Sequence, residues 1–185
     1  MAKKLKKMRS RRPIRVGLTG SLASGKSTVL KAFKKYGFKV LSADEMVAQI
    51  YEQKKITKED VLKKFGKTPA GLKKLERWIH PLVRKQTLAT MKKSKKPMVV
   101  EVPLLFEARF EKDFDVVVFV HAPFKDRLRR VLKRGMTEKL FRFLDSRQWS
   151  PFKKAQKSDY ILQNSTKPFL KKQVKHLSKV LLAIE

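Results

Sequence analysis

Apolar residues fall along this chain in two rhythms. Short, nearly continuous apolar runs occur at 14–19, 38–41, 98–102, 116–120 and 160–162, and runs of that length predict strands buried on both faces of a parallel sheet. Between them the spacing lengthens to three and four residues. Residues 26–36 predict a helix closed by Gly37, a residue suited to the left-handed geometry of a helix end. From Glu45 to about Lys96 no strong strand pattern appears, and Val61, Leu62, Phe65, Leu72, Leu75, Trp78, Ile79, Leu82 and Val83 mark amphipathic helices. Two basic helices are expected over 124–134 and 137–147, separated by Gly135 and followed by Ser150-Pro151. A last helix over 167–184 carries Leu170, Val174, Leu177, Val180 and Leu181 at helical intervals. The alternation predicts an α/β fold of three layers, a five-stranded parallel sheet flanked by helices, with a helical insertion at about 45–96.

The length of 185 residues suits one core rather than two. The expected organisation is a basic tail over 1–13 and a single domain over 14–185. With 42% hydrophobic and 34% charged residues the composition is that of a globular protein. No apolar run approaches the roughly 20 residues that cross a bilayer, and no continuous apolar stretch follows the basic N-terminus, so the expected location is cytoplasmic. There is no cysteine, and His80, His121 and His176 are scattered, so a metal is expected to be a hard ion held partly by a ligand's phosphates.

The net charge of +31 draws anions of every kind, nucleotides as well as RNA and DNA. Seven basic residues lie among the first twelve, and lysine pairs recur at 34–35, 63–64, 73–74 and 92–93. Charge spread so evenly reads as a solubility feature more than a dedicated nucleic-acid patch. Nucleic-acid contact through the basic surface stays open as an alternative.

The segment Gly20-Ser21-Leu22-Ala23-Ser24-Gly25-Lys26-Ser27-Thr28 satisfies G-x-x-x-x-G-K-[ST]. A predicted strand leads into it and a predicted helix leaves it, the setting in which backbone N–H groups and a helix N-terminus face phosphate oxygens. The backbone of Ala23 to Thr28 is expected to wrap the phosphates of ATP, with Gly20 and Gly25 permitting the curl. Lys26 is expected to reach the β- and γ-phosphates, and the Ser27 hydroxyl to ligate Mg2+. The absence of an N-K-x-D motif and the small size favour a kinase of small molecules over a GTPase.

From Val16 to about Val174 the chain resembles the dephospho-CoA kinase family. The resemblance rests on Gly17-Leu18-Thr19-Gly20 with the phosphate loop, Val40-Leu41-Ser42-Ala43-Asp44, His80-Pro81-Leu82-Val83 and Glu101 to Glu107, then Gln148 to Lys154, Ser158-Asp159-Tyr160-Ile161 and Asn164. It implies ATP-dependent phosphorylation of the ribose 3′-hydroxyl of dephospho-CoA, the last step of coenzyme A synthesis. It also implies that Asp44 orients and deprotonates that hydroxyl; a plain helix-capping role is the competing reading. Pro103, Leu104, Leu105 and Glu107 resemble the acceptor-side loop, although a Leu-Leu-Phe run also reads as core. His80 is implied to touch the acceptor or else to end a helix. Arg134 resembles a lid arginine within a lid at about 134–152, with Arg142 and Arg147 as further candidates; a solvated basic helix face is the alternative for each. Asn164 matches the position beside the adenine of ATP.

The chain departs from the family pattern where Ser42 replaces the first carboxylate of Asp-x-Asp, where Ala48 replaces Arg or His, and where an Asp-Arg-x-x-Leu segment before the His-Pro pair is absent. All three bear on the acceptor's affinity or specificity. Two other readings use the same residues: a nucleoside monophosphate type of kinase, and a basic nucleic-acid-binding protein with a relic kinase loop. Lys26, Ser27 and Asp44 together argue against a relic.

Overall fold

The computed structural model describes residues 12–66 and 68–183, so the basic tail up to Arg11 lies outside the described residues. The strands are β1 (Arg15–Gly20), β2 (Lys39–Ser42), β3 (Met98–Glu101), β4 (Val116–His121) and β5 (Tyr160–Gln163). They form one parallel sheet in the order β2-β3-β1-β4-β5. Because the chain places β3 on one side of β1 and β4 on the other, the strand order reverses at β1. Open α/β sheets form their sites at the carboxyl ends of the strands flanking such a reversal.

The helices are α1 (Lys26–Lys35), α2 (Ala43–Gln53), α3 (Lys58–Phe65), α4 (Pro69–Lys93), α5 (Phe124–Leu132), α6 (Glu138–Ser146), α7 (Pro151–Lys157) and α8 (Lys167–Leu182). Contacts divide the chain into two compact units, one built from the segments up to Val40 and from Ser94 onward, the other Leu41–Lys93.

In the first unit the period of two along β1 and β4 sorts side chains between the sheet faces. Val16, Leu18, Val116, Val118 and Val120 join Val29, Leu30 and Phe33 of α1 and Leu170, Val174, Leu177 and Leu181 of α8 in one core cluster. Phe33 is fully buried, and burial of such a ring contributes about 1.5–3 kcal/mol. Gly37 ends α1 at φ +89°, the expected left-handed stop.

On the opposite face a Cβ at Gly17 would lie 2.7 Å from Phe114 and 2.8 Å from Leu105. The glycine is needed there for space, since these side chains cover the central strand.

The second unit holds α2, α3 and α4 around Ala43, Met46, Ile50, Ile79 and Val83. Trp78 stacks on Tyr51 at 6.4 Å and meets Phe65 at 5.7 Å. One alternative falls: the His80-Pro81 pair does not end a helix, because Pro81 sits inside the 25-residue α4. Ser150-Pro151 starts α7: Ser150 Oγ accepts from Lys153 N, and Pro151 takes the first helical position, where its missing N–H is not needed.

Gly17→Val should destabilise the protein by about 1–3 kcal/mol through overpacking against Phe114 and Leu105. Urea denaturation would register this as a lower midpoint at unchanged slope.

Candidate active site

β1 delivers the chain at Gly20 into the glycine-rich loop, and α1 starts at Lys26. Ala23 and Gly25 adopt left-handed backbone at φ +59° and +98°, and such reversals turn successive N–H groups toward one concave side. A Cβ at Gly25 would collide with the Asn164 amide, and one at Gly20 would lie 2.5 Å from Ser24 Oγ. Lys26 is buried, and its ammonium donates to Gly20 O and Ser21 O, each at 3.1 Å. The buried Ser24 Oγ has no hydrogen-bond partner among the described residues. Ser27 and Thr28, in the first turn of α1, are exposed. A concave backbone with inward amides, a lysine and hydroxyls at a helix N-terminus suits a polyphosphate.

Supports for the loop come from elsewhere in the same unit. Asn164, at the end of β5, donates through Nδ2 to Ser24 O at 2.7 Å, so its amide braces the loop from the position expected beside adenine. Arg130 donates to Ala23 O at 3.1 Å and to Asn164 O at 3.4 Å. Arg127 donates to Leu22 O at 3.3 Å and forms a two-pronged pair with Asp145, at 2.5 and 3.1 Å. Arg127 and Arg130 belong to the same basic run as Arg134, which the sequence alone favoured as the phosphate-facing arginine. Arg134 itself is exposed just past α5. Arg142 pairs with Glu138, and Arg147 lies over the Phe143 ring at 5.8 Å.

The loop following β3 is held at two oxygens. Pro103 O accepts from Thr19 Oγ1 at 3.2 Å and from Lys154 Nζ at 3.1 Å. Glu107 Oε1 accepts from Lys154 Nζ at 3.0 Å and from Trp149 N at 2.7 Å. Pro103 and Leu104 are partly buried, whereas Leu105 is fully buried beneath Gly17 and belongs to the core. Lys154 is fully buried. Desolvation holds its pKa below the usual 10.5, opposed by the Glu107 carboxylate.

In the second unit Ser42 is the N-cap of α2 and Asp44 lies in its first turn, so Asp44 is not the capping residue. Its carboxylate is exposed and forms no ion pair or side-chain hydrogen bond among the described residues. An acidic side chain there is favoured by the helix dipole and stays available to a ligand. His80 is half-buried on α4.

A central parallel strand that feeds a glycine-rich anion loop into a helix, at the point where strand order reverses, defines a P-loop kinase. A family model for dephospho-CoA kinase matches residues 14–71 and 63–168. The chain belongs to the dephospho-CoA kinase family.

Curated dephospho-CoA kinases of Zymomonas mobilis and Bartonella quintana are 35% and 36% identical to it over 170 and 169 residues, covering 80% of this chain and 86% and 87% of theirs. Among solved structures, TT1252 from Thermus thermophilus matches with a TM-score of 0.78 at 27% identity, covering 94% of this chain and 98% of that one. The dephospho-CoA kinase from Campylobacter jejuni (TM-score 0.63, 22% identity, 91% and 97% covered) and a shikimate kinase from Acinetobacter baumannii (0.62, 16%, 97% and 97%) share the fold.

Lys154 gives the site a pH signature. Its folded pKa lies below the unfolded 10.5, so between those two values the unfolded chain binds more protons and stability rises with pH. Lys154→Met lacks this gain. The stability of wild type relative to Lys154→Met should therefore rise as pH climbs from neutral toward 10.5, measured by urea denaturation across that range.

Proposed function

We propose that this protein transfers the γ-phosphoryl group of ATP to the ribose 3′-hydroxyl of dephospho-CoA, giving coenzyme A and ADP. The observation that carries the reading is the braced phosphate loop within a chain of this family.

In the proposed reaction the backbone of Ala23 to Thr28 and the Lys26 ammonium bind the β- and γ-phosphates. Lys26 leaves the carbonyls of Gly20 and Ser21 for phosphate oxygens, a short movement of a mobile charge. Asp44 accepts a hydrogen bond from the 3′-hydroxyl, aligns its oxygen on the γ-phosphorus and takes the proton as the O–P bond forms. The bond from the γ-phosphorus to the bridging oxygen breaks, and ADP departs with the electron pair. The Ser27 hydroxyl is the group of this chain that would hold Mg2+. Magnesium supplies neutralisation of charge on the β- and γ-oxygens.

The segment 134–152 is the proposed lid, bringing Arg134 over the phosphates and excluding water. Asp44, His80, Pro103, Leu104 and Glu107 are the proposed acceptor-side residues. No helix among the described residues is long and apolar enough to cross a membrane. The proposed compartment is the cytoplasm, where ATP is supplied.

The test is incubation with Mg-ATP and either dephospho-CoA or a panel of nucleoside monophosphates, with products identified by mass. Asp44→Asn should lower CoA formation by about 10²–10⁴-fold while calorimetry finds nucleotide binding intact. Lys26→Met should lose nucleotide binding as well. Turnover of a nucleoside monophosphate alone would replace this acceptor, and salt-sensitive RNA binding without any kinase activity would replace the class.

Both substrates are polyanions and the chain carries +31, so electrostatic capture should contribute to kcat/KM. Raising the ionic strength from low to physiological should lower kcat/KM for both substrates while kcat changes little.

A further inference from the structure

Lysine is almost never fully buried unless it is paired. Lys154 is fully buried, and its ammonium meets three oxygens: Glu107 Oε1 at 3.0 Å, Pro103 O at 3.1 Å and Gln148 Oε1 at 3.5 Å. Each partner lies on a segment that the proposed reaction uses. Pro103 and Glu107 bound the loop after β3, and Gln148 lies in the lid segment. Pro103 O also accepts from Thr19 Oγ1, one residue before the phosphate loop begins. Trp149 reinforces the junction twice, through its N–H to Glu107 Oε1 and through its ring, stacked on Phe106 at 5.7 Å and 6°.

Stability alone accounts poorly for this arrangement. A buried ion pair is often matched or bettered by apolar side chains of similar volume. What an apolar residue lacks is direction. The ammonium fixes where the Pro103 carbonyl and the Glu107 carboxylate sit relative to Thr19, and so relative to Gly20. In-line transfer requires the acceptor oxygen and the phosphorus within about 3–3.5 Å, and an error near 1 Å costs about 10²-fold in rate.

We infer that Lys154 is a positioning residue for phosphoryl transfer, holding the 103–107 loop in register with the phosphate loop through the shared Pro103 carbonyl. This rests on the dephospho-CoA reading of the site. Lys154 touches no reacting atom; it acts through Pro103 and Glu107.

The test compares Lys154→Met, Thr19→Val and the double variant with wild type, measuring kcat and KM for dephospho-CoA and the Kd of Mg-ATP by calorimetry. Wild-type turnover of dephospho-CoA comes first, and its absence would fail the functional reading itself. Given that turnover, Lys154→Met should raise the acceptor KM by about tenfold or more and leave the nucleotide Kd within about twofold. A merely structural lysine would lower the active fraction without moving KM, and that result overturns the inference. Thr19→Val acts on the same carbonyl while keeping the buried pair, so the double variant should raise KM by less than the product of the single effects. Independent, multiplicative effects would also overturn it. If Lys154→Met does not fold, Thr19→Val and Glu107→Gln decide: a raised acceptor KM at normal nucleotide affinity supports the role, and unchanged KM values reject it.

Discussion

A concave row of backbone N–H groups is the constraint on which the rest of this protein depends. Left to itself the loop would not hold that shape. Ala23 sits at φ +59°, a conformation that costs a residue with a side chain roughly 1–2 kcal/mol, and Gly25 tolerates no Cβ because the Asn164 amide occupies that space. The surrounding unit restores what the loop forfeits. Its carbonyls at Leu22, Ala23 and Ser24 each accept a hydrogen bond from a side chain, from Arg127, Arg130 and Asn164 in turn. The loop also braces itself, since Ser24 N donates to Ser21 O at 3.1 Å.

Those supports also explain how charge is distributed in a very basic protein. Most lysines are solvated, but the few cations taken into the interior are assigned partners. Arg127 is held by both oxygens of Asp145 and lies near the rings of Phe124 and Phe141. Lys154 is held by Glu107. In each case a carboxylate from a different segment meets the cation, so the cost of desolvation is offset while two parts of the chain are joined.

The parts of the fold that were legible in the sequence are those whose signals are local. Five apolar runs marked the five strands, with ends displaced by a residue or so; in β1, β3 and β4 burial on both faces leaves the continuous pattern, while the edge strands β2 and β5 are partly exposed. The phosphate loop was readable because glycine positions, lysine and hydroxyl fall at fixed spacing between a strand and a helix. Proline is the ambiguous signal: Pro81 looks like an end although α4 continues through it, and the start of α7 at Pro151 depends on Ser150 acting as its cap. The roles of Arg127 and Arg130 left a trace in their spacing with Arg134. Lys154 left only its place at the end of the Gln148 to Lys154 block; beside Lys153 and near Lys157 nothing local marks it as buried, and only the tertiary fold sets it apart by bringing Glu107 to it. Asp44 shows the other limit: its exposure and its place in the first turn of α2 follow from local structure, but its assignment as the base comes from kinship.

Pro81 has a consequence of its own for α4. A proline within a helix removes one rung of the hydrogen-bond ladder and crowds the carbonyl four residues earlier, here that of Arg77. A rod of 25 residues is thereby divided into two shorter ones joined at a soft point, and each is short enough to rely on packing rather than on its own cooperativity. The two halves meet between Ile79 and Val83, both buried in the core of this unit, so side-chain packing rather than an unbroken ladder holds the helix together at residue 81.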